Sequence, residues 1–437
     1  MTALLMFPSL FGMIFLGFPV AFSLLAVAFV FGILTFGDAA LFQFTQKIED
    51  VASNFVLAAV PLFVFMGSML ERSGIAEQLF SAVHLWTKRL PGGLAVGTVI
   101  MCIIFAASTG VIGATETVVG LLAIPAMMKH RYSNSLISGT ICAGGSLGTI
   151  IPPSVVVVVL GPIANVSIGD LMVGMIVPGL ILSGLYIVYI IGLCLVRPEE
   201  GPRVVEEEDE MPLAEKLAIT GKALLPPLFM IFAVLGSIML GWAAPTEAAA
   251  LGAAGAFVLT VLYGKFNLKT FWEALVKTIT VTSMIMFILL AGSLFTGIFV
   301  ASGGMGVMRA MINAVEIGPW GLLFIFLGLV FIAGFFLEWI SILLIFVPLF
   351  MPFVLSGGFE PVWFCMLILV MIQTSYLTPP MAPAIFYLRG VAPDSITLVQ
   401  MYKGVVPFIV IQIIALGIVM AFPQTALWLP DQLLGFR

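Results

Sequence analysis

The segment at residues 148–154 reads GTIIPPS and lies in the uncharged stretch 135–161, which is 27 residues long. Its two adjacent prolines lack backbone donors and cannot continue an α-helix. A break inside an apolar run frees carbonyl groups at a depth where a membrane offers no water. A second such segment, YLTPPMAP at 376–383, places its first proline 227 positions beyond Pro152. The two breaks predict a fold made of two related halves.

The composition places the chain in a membrane. Apolar residues make up 62% of its 437 positions and charged residues 9%, whereas soluble domains carry about 25% charged residues. Several stretches exceed the roughly 20 apolar residues that a transmembrane helix needs. The sequence therefore predicts an all-α polytopic membrane protein surrounded by the lipid bilayer. It has no basic patch with interleaved aromatic residues, so we expect no nucleic-acid partner.

Further matches support an internal repeat with boundaries at 1–210 and 211–437. GFPVAFSLLAVAF from Gly17 resembles GWAAPTEAAALGAAGAF from Gly241, and PGGLAVG from Pro91 parallels PWGLLFI from Pro319. A charged, proline-bearing linker at 197–216 separates the halves. Each half offers five apolar spans. These are 1–17, 18–37, 51–71, 135–161 and 171–196 in the first half, and 223–244, 247–264, 278–300, 361–388 and 404–430 in the second.

Each half also contains one longer apolar segment that we interpret as a re-entrant hairpin. Residues 93–127 are flanked on both sides by Lys, Arg and His, so both ends are expected in the cytoplasm. The counterpart, 317–359, has acidic flanks and is expected to open outward. Five spans per half then require the second half to be inverted. With the N-terminus in the periplasm, 14 Lys and Arg residues fall inside and three outside.

Inverted repeats with broken helices are typical of secondary transporters, whose substrate and ion sites lie near the bilayer midplane. Carbonyls freed at 148–150 and 376–378 are suitable ligands for a hard cation such as sodium. Hydroxyls of Ser108 and Thr109 at the first hairpin tip add further oxygens, and helix N-termini attract anions. Glu116 and Glu338 are rare charges within the spans, which makes them candidate ion or proton sites.

The sequence resembles the large membrane subunit of tripartite ATP-independent periplasmic (TRAP) transporters. The resemblance rests on STGVIGATETVVGLLAIPAMMKHRYSNSLISGTICAGGSLGTIIPPS, on GFFLEWISILLIFVPLFMP and on LTPPMAP. It implies an elevator-type, sodium-coupled importer of a small organic acid, a carboxylate or sulfonate, in a bacterial inner membrane. It also implies two partners, a small four-helix membrane subunit and a periplasmic substrate-binding protein.

The resemblance further implies two sodium ions and a substrate between them. One ion would be held by the first hairpin and its proline partner, the other by the second pair, and Ser108 would compensate for Val111 where the family often has serine. The implied residues are Ser108, Thr109, Gly110, Gly148, Ile150 and Pro152 for one ion, Gly334, Ser341, Thr374, Leu377 and Pro379 for the other, and Ser146, Thr378 and Glu338 for the substrate.

Three alternatives stay open on the residues alone. GGSLG at 144–148 matches the pattern of a hydrolase nucleophile elbow, but both histidines fall in or near predicted cytoplasmic loops, so we expect no enzyme. A passive channel can also line its pore with broken helices. A stand-alone organic-anion symporter, coupled to sodium or protons, needs no partner subunits.

Overall fold

The computed structural model describes residues 2–109, 113–203, 211–315 and 317–435. All regular structure in these ranges is helical, which confirms the predicted all-α class. The helices of the first half are α1 (Met6–Phe15), α2 (Val20–Phe36), α3 (Ala39–Ala52), α4 (Ala59–Glu71), α5 (Ile75–Thr87), α6 (Gly93–Thr109), α7 (Ala114–Lys129), α8 (Asn134–Ser146), α9 (Val155–Ala164), α10 (Ile168–Gly174) and α11 (Ile176–Val196).

The second half has a similar order of helices around its break, as the matches of Pro91 with Pro319 and of the two proline pairs indicate. Its helices are α12 (Leu213–Met239), α13 (Pro245–Leu262), α14 (Leu268–Ala301), α15 (Gly304–Val315), α16 (Pro319–Ala333), α17 (Trp339–Ser356), α18 (Pro361–Leu377), α19 (Pro383–Arg389), α20 (Leu398–Ala421) and α21 (Gln424–Leu434). Helices α6 to α9 thus correspond in sequence order to α16 to α19.

Fewer helices have the length of a full membrane span than the ten spans predicted. Six helical segments of the described residues are long and apolar enough, or seven if the pair α3 and α4, bent by 50°, is one span. The other apolar helices have 10 to 17 residues. Proline pairs and tight turns shorten them, and such helices need cover from their neighbours.

Several predicted span boundaries differ from the helix bounds, among them the starts predicted at 223 and 278, since α12 begins at Leu213 and α14 at Leu268. The span predicted at 51–71 contains the end of α3, a turn that Asn54 caps and all of α4, and the chain bends by 50° at this turn. The span predicted at 404–430 ends at Ala421. The proline at position 423 follows this end and separates α20 from α21, as is common after helix C-termini. The sequence stays apolar across both bends, so its composition gives no sign of either bend.

The proline pairs interrupt the helices at corresponding places. Helix α8 ends at Ser146 and passes through a 3-10 turn, and α9 starts after Pro152 and Pro153. In the second half α18 ends at Leu377 and α19 starts at Pro383. The peptide bonds within both proline pairs are cis. Side chains satisfy part of the freed backbone, since the Ser154 hydroxyl donates to the Thr149 carbonyl at 3.0 Å.

The two halves interleave instead of forming separate units. Helix α4 of the first half packs against α13 of the second, and α14 of the second half packs against α2 of the first. Around the breaks the exchange is reciprocal: α7 contacts α19, and α17 contacts α9. Each broken helix is therefore covered in part by helices of the other half.

The contact between α8 and α20 is a direct approach of two backbones. A Cβ atom at Gly139 would overlap the carbonyl oxygen of Gly404, and one at Gly404 would overlap that of Ser135. Small residues at such crossings let membrane helices pack closely. This crossing holds the first broken helix against the second half.

We expect Gly404→Val to force α8 and α20 apart and to lower the free energy of unfolding by about 1–3 kcal/mol, because a side chain has no room there. Gly417→Val on the same helix is the matched control, since a Cβ atom at Gly417 meets nothing within 4 Å. Thermal unfolding in detergent measures the stability of both purified variants relative to the wild type. Equal unfolding midpoints for Gly404→Val and Gly417→Val would contradict the close contact between α8 and α20.

Candidate functional site

A cavity of about 540 Å³ lies between the helices α2 and α14 on one side and the broken-helix region on the other. Helices α2 and α14 contribute apolar side chains, among them Phe22, Met284 and Phe287. The opposite wall carries the polar groups. These are Thr149, Glu338, Ser375, Tyr376 and Tyr387. The volume is in the range typical of small-molecule sites.

Three helices of at least ten residues begin at this cavity. Its lining includes Val20, Val155 and Trp339, the first residues of α2, α9 and α17. The first turn of a helix has unpaired N–H groups and a partial positive charge. These three helix N-termini therefore contribute partial positive charge at the cavity, and no Lys, Arg or His is among its described lining residues.

The predicted substrate residues are placed differently from one another. Glu338 lines the cavity and is half-buried. Ser146 is fully buried outside this lining, and its hydroxyl donates to the Ala143 carbonyl at 2.9 Å. Thr378 is also outside the lining, and its hydroxyl donates to the Thr374 carbonyl at 2.5 Å. Of the three, the structure brings only Glu338 to the cavity wall.

The residues predicted for the second ion lie where the second helix pair meets α18. Gly334, just after α16, approaches α18 so closely that a Cβ atom would be 2.7 Å from Cβ of Ser375. Ser341 is fully buried, and its hydroxyl has no hydrogen-bond partner among the described residues. The hydroxyl of Thr374 donates to the Met371 carbonyl at 2.6 Å. Leu377 and Pro379 follow at the break, the former buried and the latter exposed.

The residues predicted for the first ion are described only in part. Gly110, and the side chains of Ser108 and Thr109, lie outside the described part of the structure. Gly148 packs against α6, where a Cβ atom would be 3.2 Å from Cβ of Ala106. The carbonyl of Ile150 lies against Gly179 of α11. A Cβ atom at Gly179 would be 2.8 Å from the Ile150 carbonyl oxygen. Pro152 is buried at the break itself.

Glu116 occupies a fully enclosed position between α7 and α8. One carboxylate oxygen accepts a hydrogen bond from the backbone N–H of Gly113 at 2.7 Å. The other oxygen has no partner among the described residues. Gly145 gives the carboxylate its space, since a Cβ atom there would overlap it. Glu116 thus caps the N-terminus of α7 and is not among the described lining residues of the cavity.

One hydrogen bond joins the two broken segments directly. The Gln373 side-chain amide on α18 donates to the Thr149 hydroxyl at 2.6 Å, and Gln373 is fully buried. Thr149 in turn donates to the Ser146 carbonyl at 3.0 Å. The side-chain oxygen of Gln373 has no partner in the described structure. This contact fixes Thr149 at the cavity wall from the opposite half of the chain.

Sequence reasoning missed several cavity residues. It considered Thr149 and Tyr376 only as sources of backbone carbonyl ligands beside the prolines, and it did not consider Ser375 or Tyr387. The proximity of Thr149 and Ser375 to the breaks was a usable signal. No local pattern indicates Tyr387, because it reaches the site through the packing of α19 against α7.

Comparison with solved structures defines the class of fold. The chain is similar to the YdaH transporter of Alcanivorax borkumensis, with a TM-score of 0.67 over 92% of this chain and 96% of that one. The two sequences are 16% identical, so the likeness concerns the fold alone.

The sequence comparisons define the family. The chain belongs to the tripartite ATP-independent periplasmic transporters, DctM component, whose family model matches residues 7–425. It is 31% identical to the C4-dicarboxylate TRAP transporter large permease protein DctM of Pseudomonas aeruginosa, over 92% of each chain. It is 30% identical to the sialic acid TRAP transporter large permease protein SiaM of Vibrio cholerae, over 97% of each. The predicted membership as a large TRAP membrane subunit is confirmed.

The link between the halves is testable by a double-mutant cycle with Gln373→Leu and Thr149→Val. Because each single change removes the same buried hydrogen bond, we expect a coupling free energy of about 1 kcal/mol. Thermal or denaturant unfolding of the wild type, both single variants and the double variant measures it. Purely additive effects would show that the contact does not stabilise the fold.

Proposed function

We propose that this chain is the large transmembrane subunit of a sodium-coupled secondary importer of a small organic acid. The observation that carries the proposal is the cavity at which α2, α9 and α17 begin. Helix N-termini bind carboxylates and related anions without a buried cationic side chain. Discontinuous helices place such termini at the substrate sites of secondary transporters.

The relatives support an acidic solute. The names of the two compared proteins specify C4-dicarboxylates and sialic acid, which share a carboxylate group. A carboxylate or a sulfonate fits a wall of unpaired N–H groups equally well. For this chain we therefore propose a small carboxylate or sulfonate as the solute.

Sodium is the coupling ion in this proposal, with two ions bound. Hard cations prefer oxygen ligands, and the broken segments offer carbonyls and hydroxyls. Thr374 and the unpartnered hydroxyl of Ser341 are the described side chains best suited to one ion. Thr109, Gly148 and the carbonyls near Pro152 would hold the other. Sodium would bind at both sites together with the solute. This joint binding would couple solute movement to the sodium gradient.

The elevator step would move the broken-helix region against α2 and α14. Support comes from the cavity, which lies between these two groups of helices and draws lining residues from both. The tripartite description of the family supports two partners, a periplasmic substrate-binding protein and a small four-helix membrane subunit. We place the complex in a bacterial inner membrane with the N-terminus of this chain in the periplasm.

A stand-alone symporter coupled to sodium or protons is the second candidate. The observation that favours its proton-coupled form is the presence of two carboxylates in the broken-helix region, Glu116 and Glu338. One oxygen of Glu116 is buried without a described partner, and Glu338 lines the cavity. Carboxylates at such positions serve as proton relays in many transporters.

Uptake into proteoliposomes that contain this chain and its small subunit tests the proposal. The binding protein and candidate acids are supplied outside, and an inward sodium gradient is compared with an equal potassium gradient. We expect accumulation only with sodium and the binding protein. Accumulation under a proton gradient without sodium would favour the second candidate, and equilibration without accumulation would indicate a channel.

Thr374→Ala should raise the sodium concentration for half-maximal uptake by about tenfold, because one hydroxyl ligand is lost. Thr109→Ala is expected to have the same effect through the other ion. Thr45→Ala is the control, since Thr45 is exposed on α3 and its hydroxyl also donates to a backbone carbonyl, that of Leu41. An unchanged sodium dependence in both site variants would contradict the assigned ion ligands.

A further inference from the structure

The cavity combines two chemical characters that a simple anion does not need together. The N-termini of α2, α9 and α17 favour a negative group. Glu338, on the same cavity wall, favours a positive one. No Lys, Arg or His lines the cavity in the described ranges, so the protein itself supplies no partner for Glu338 there.

The Glu338 carboxylate is free to bind a ligand. Although Glu338 directly precedes α17, its side chain does not cap that helix. Within the described part of the chain it accepts no hydrogen bond and forms no ion pair. A half-buried carboxylate without a partner is unfavourable, and a dianionic solute beside it would add repulsion. A positive charge in the cavity would remove both costs.

Aromatic side chains contribute five of the 20 described lining residues. Five rings reach the cavity, and two of them, Phe22 and Phe287, pack edge to face with centroids 5.2 Å apart. The others belong to Trp339, Tyr376 and Tyr387. Aromatic faces attract ammonium, quaternary ammonium and amidinium groups through the cation–π interaction. A sodium ion is less suited to this wall, since it requires several oxygen ligands at once.

We infer that the transported solute is zwitterionic. Its carboxylate binds at the N-termini of α2 and α9, and its positively charged nitrogen binds Glu338, which precedes α17, and the aromatic rings near it. This inference rests on the proposed function, because it takes the cavity as the substrate site. It narrows the solute class from organic acids in general to acids that also carry a cationic nitrogen.

Matched probes test the charge preference without knowledge of the natural solute. Succinate and 4-aminobutyrate share a four-carbon chain with one carboxylate, and they differ in whether the other end is a carboxylate or an ammonium group. Glutarate and 5-aminopentanoate form a second pair. Binding of each probe to the full-length chain with its small subunit in nanodiscs, in the presence of sodium, is measured by titration calorimetry. We expect each amino acid to bind more tightly than its diacid partner.

Glu338→Gln identifies the group responsible. Loss of the half-buried countercharge is expected to weaken 4-aminobutyrate binding about 30-fold or more, while succinate binding stays equal or improves. The sodium dependence of binding should not change. Glu338→Asp keeps the charge and should keep the preference, which provides a test even if the glutamine variant does not fold. Glu49→Gln, at an exposed position of α3, is the control.

The outcomes separate this inference from the proposed function. A wild-type preference for the diacids, together with sodium-driven uptake, would overturn the zwitterion and leave the organic-acid importer intact. Equal weakening of both probes in Glu338→Gln with an altered sodium dependence would make Glu338 an ion site and also overturn the inference. Binding of neither pair, with no sodium-driven uptake, would contradict the proposed function itself.

Discussion

The requirement that backbone polar groups at membrane depth find a partner governs this structure. Two proline pairs end helices inside apolar segments and leave N–H and carbonyl groups without helical partners. The chain satisfies some of them locally, as where the Ser154 hydroxyl donates to the Thr149 carbonyl. The remaining groups are tolerable only if other helices cover the breaks or a cavity reaches them. The packing of the whole molecule follows from this requirement.

The cover comes mainly from the opposite half. Helix α17 packs on the segment after the first break, and α7 packs on the segment after the second. The hydrogen bond from Gln373 to Thr149 connects the same two regions. Each half therefore covers part of the break in the other half. This reciprocity also brings groups from positions more than 200 residues apart to one cavity wall.

The cavity obtains its electrostatic character from backbone and not from cationic side chains. A buried Lys or Arg side chain would be costly in the bilayer. A helix N-terminus supplies partial positive charge from its backbone N–H groups, without burial of a fully charged side chain. Breaking the helices therefore serves two purposes. It frees carbonyl groups from their helical partners, and it starts new helices whose first turns carry partial positive charge. Glu338 is the one carboxylate on the described wall, and it gives the site a second polarity.

The sequence by itself determined the all-α membrane class, the position of both breaks and the family. These properties depend on composition, proline spacing and extended motifs, which are local along the chain. It did not determine the bends near Asn54 and after Ala421, because apolar composition is continuous there. Only the tertiary structure decided that Glu338 lines the cavity while Ser146 and Thr378 do not. It also decided that Phe287 and Tyr387 do. The physical reason is that a break fixes where a helix ends, whereas the wall that a side chain reaches depends on how the other half packs against it.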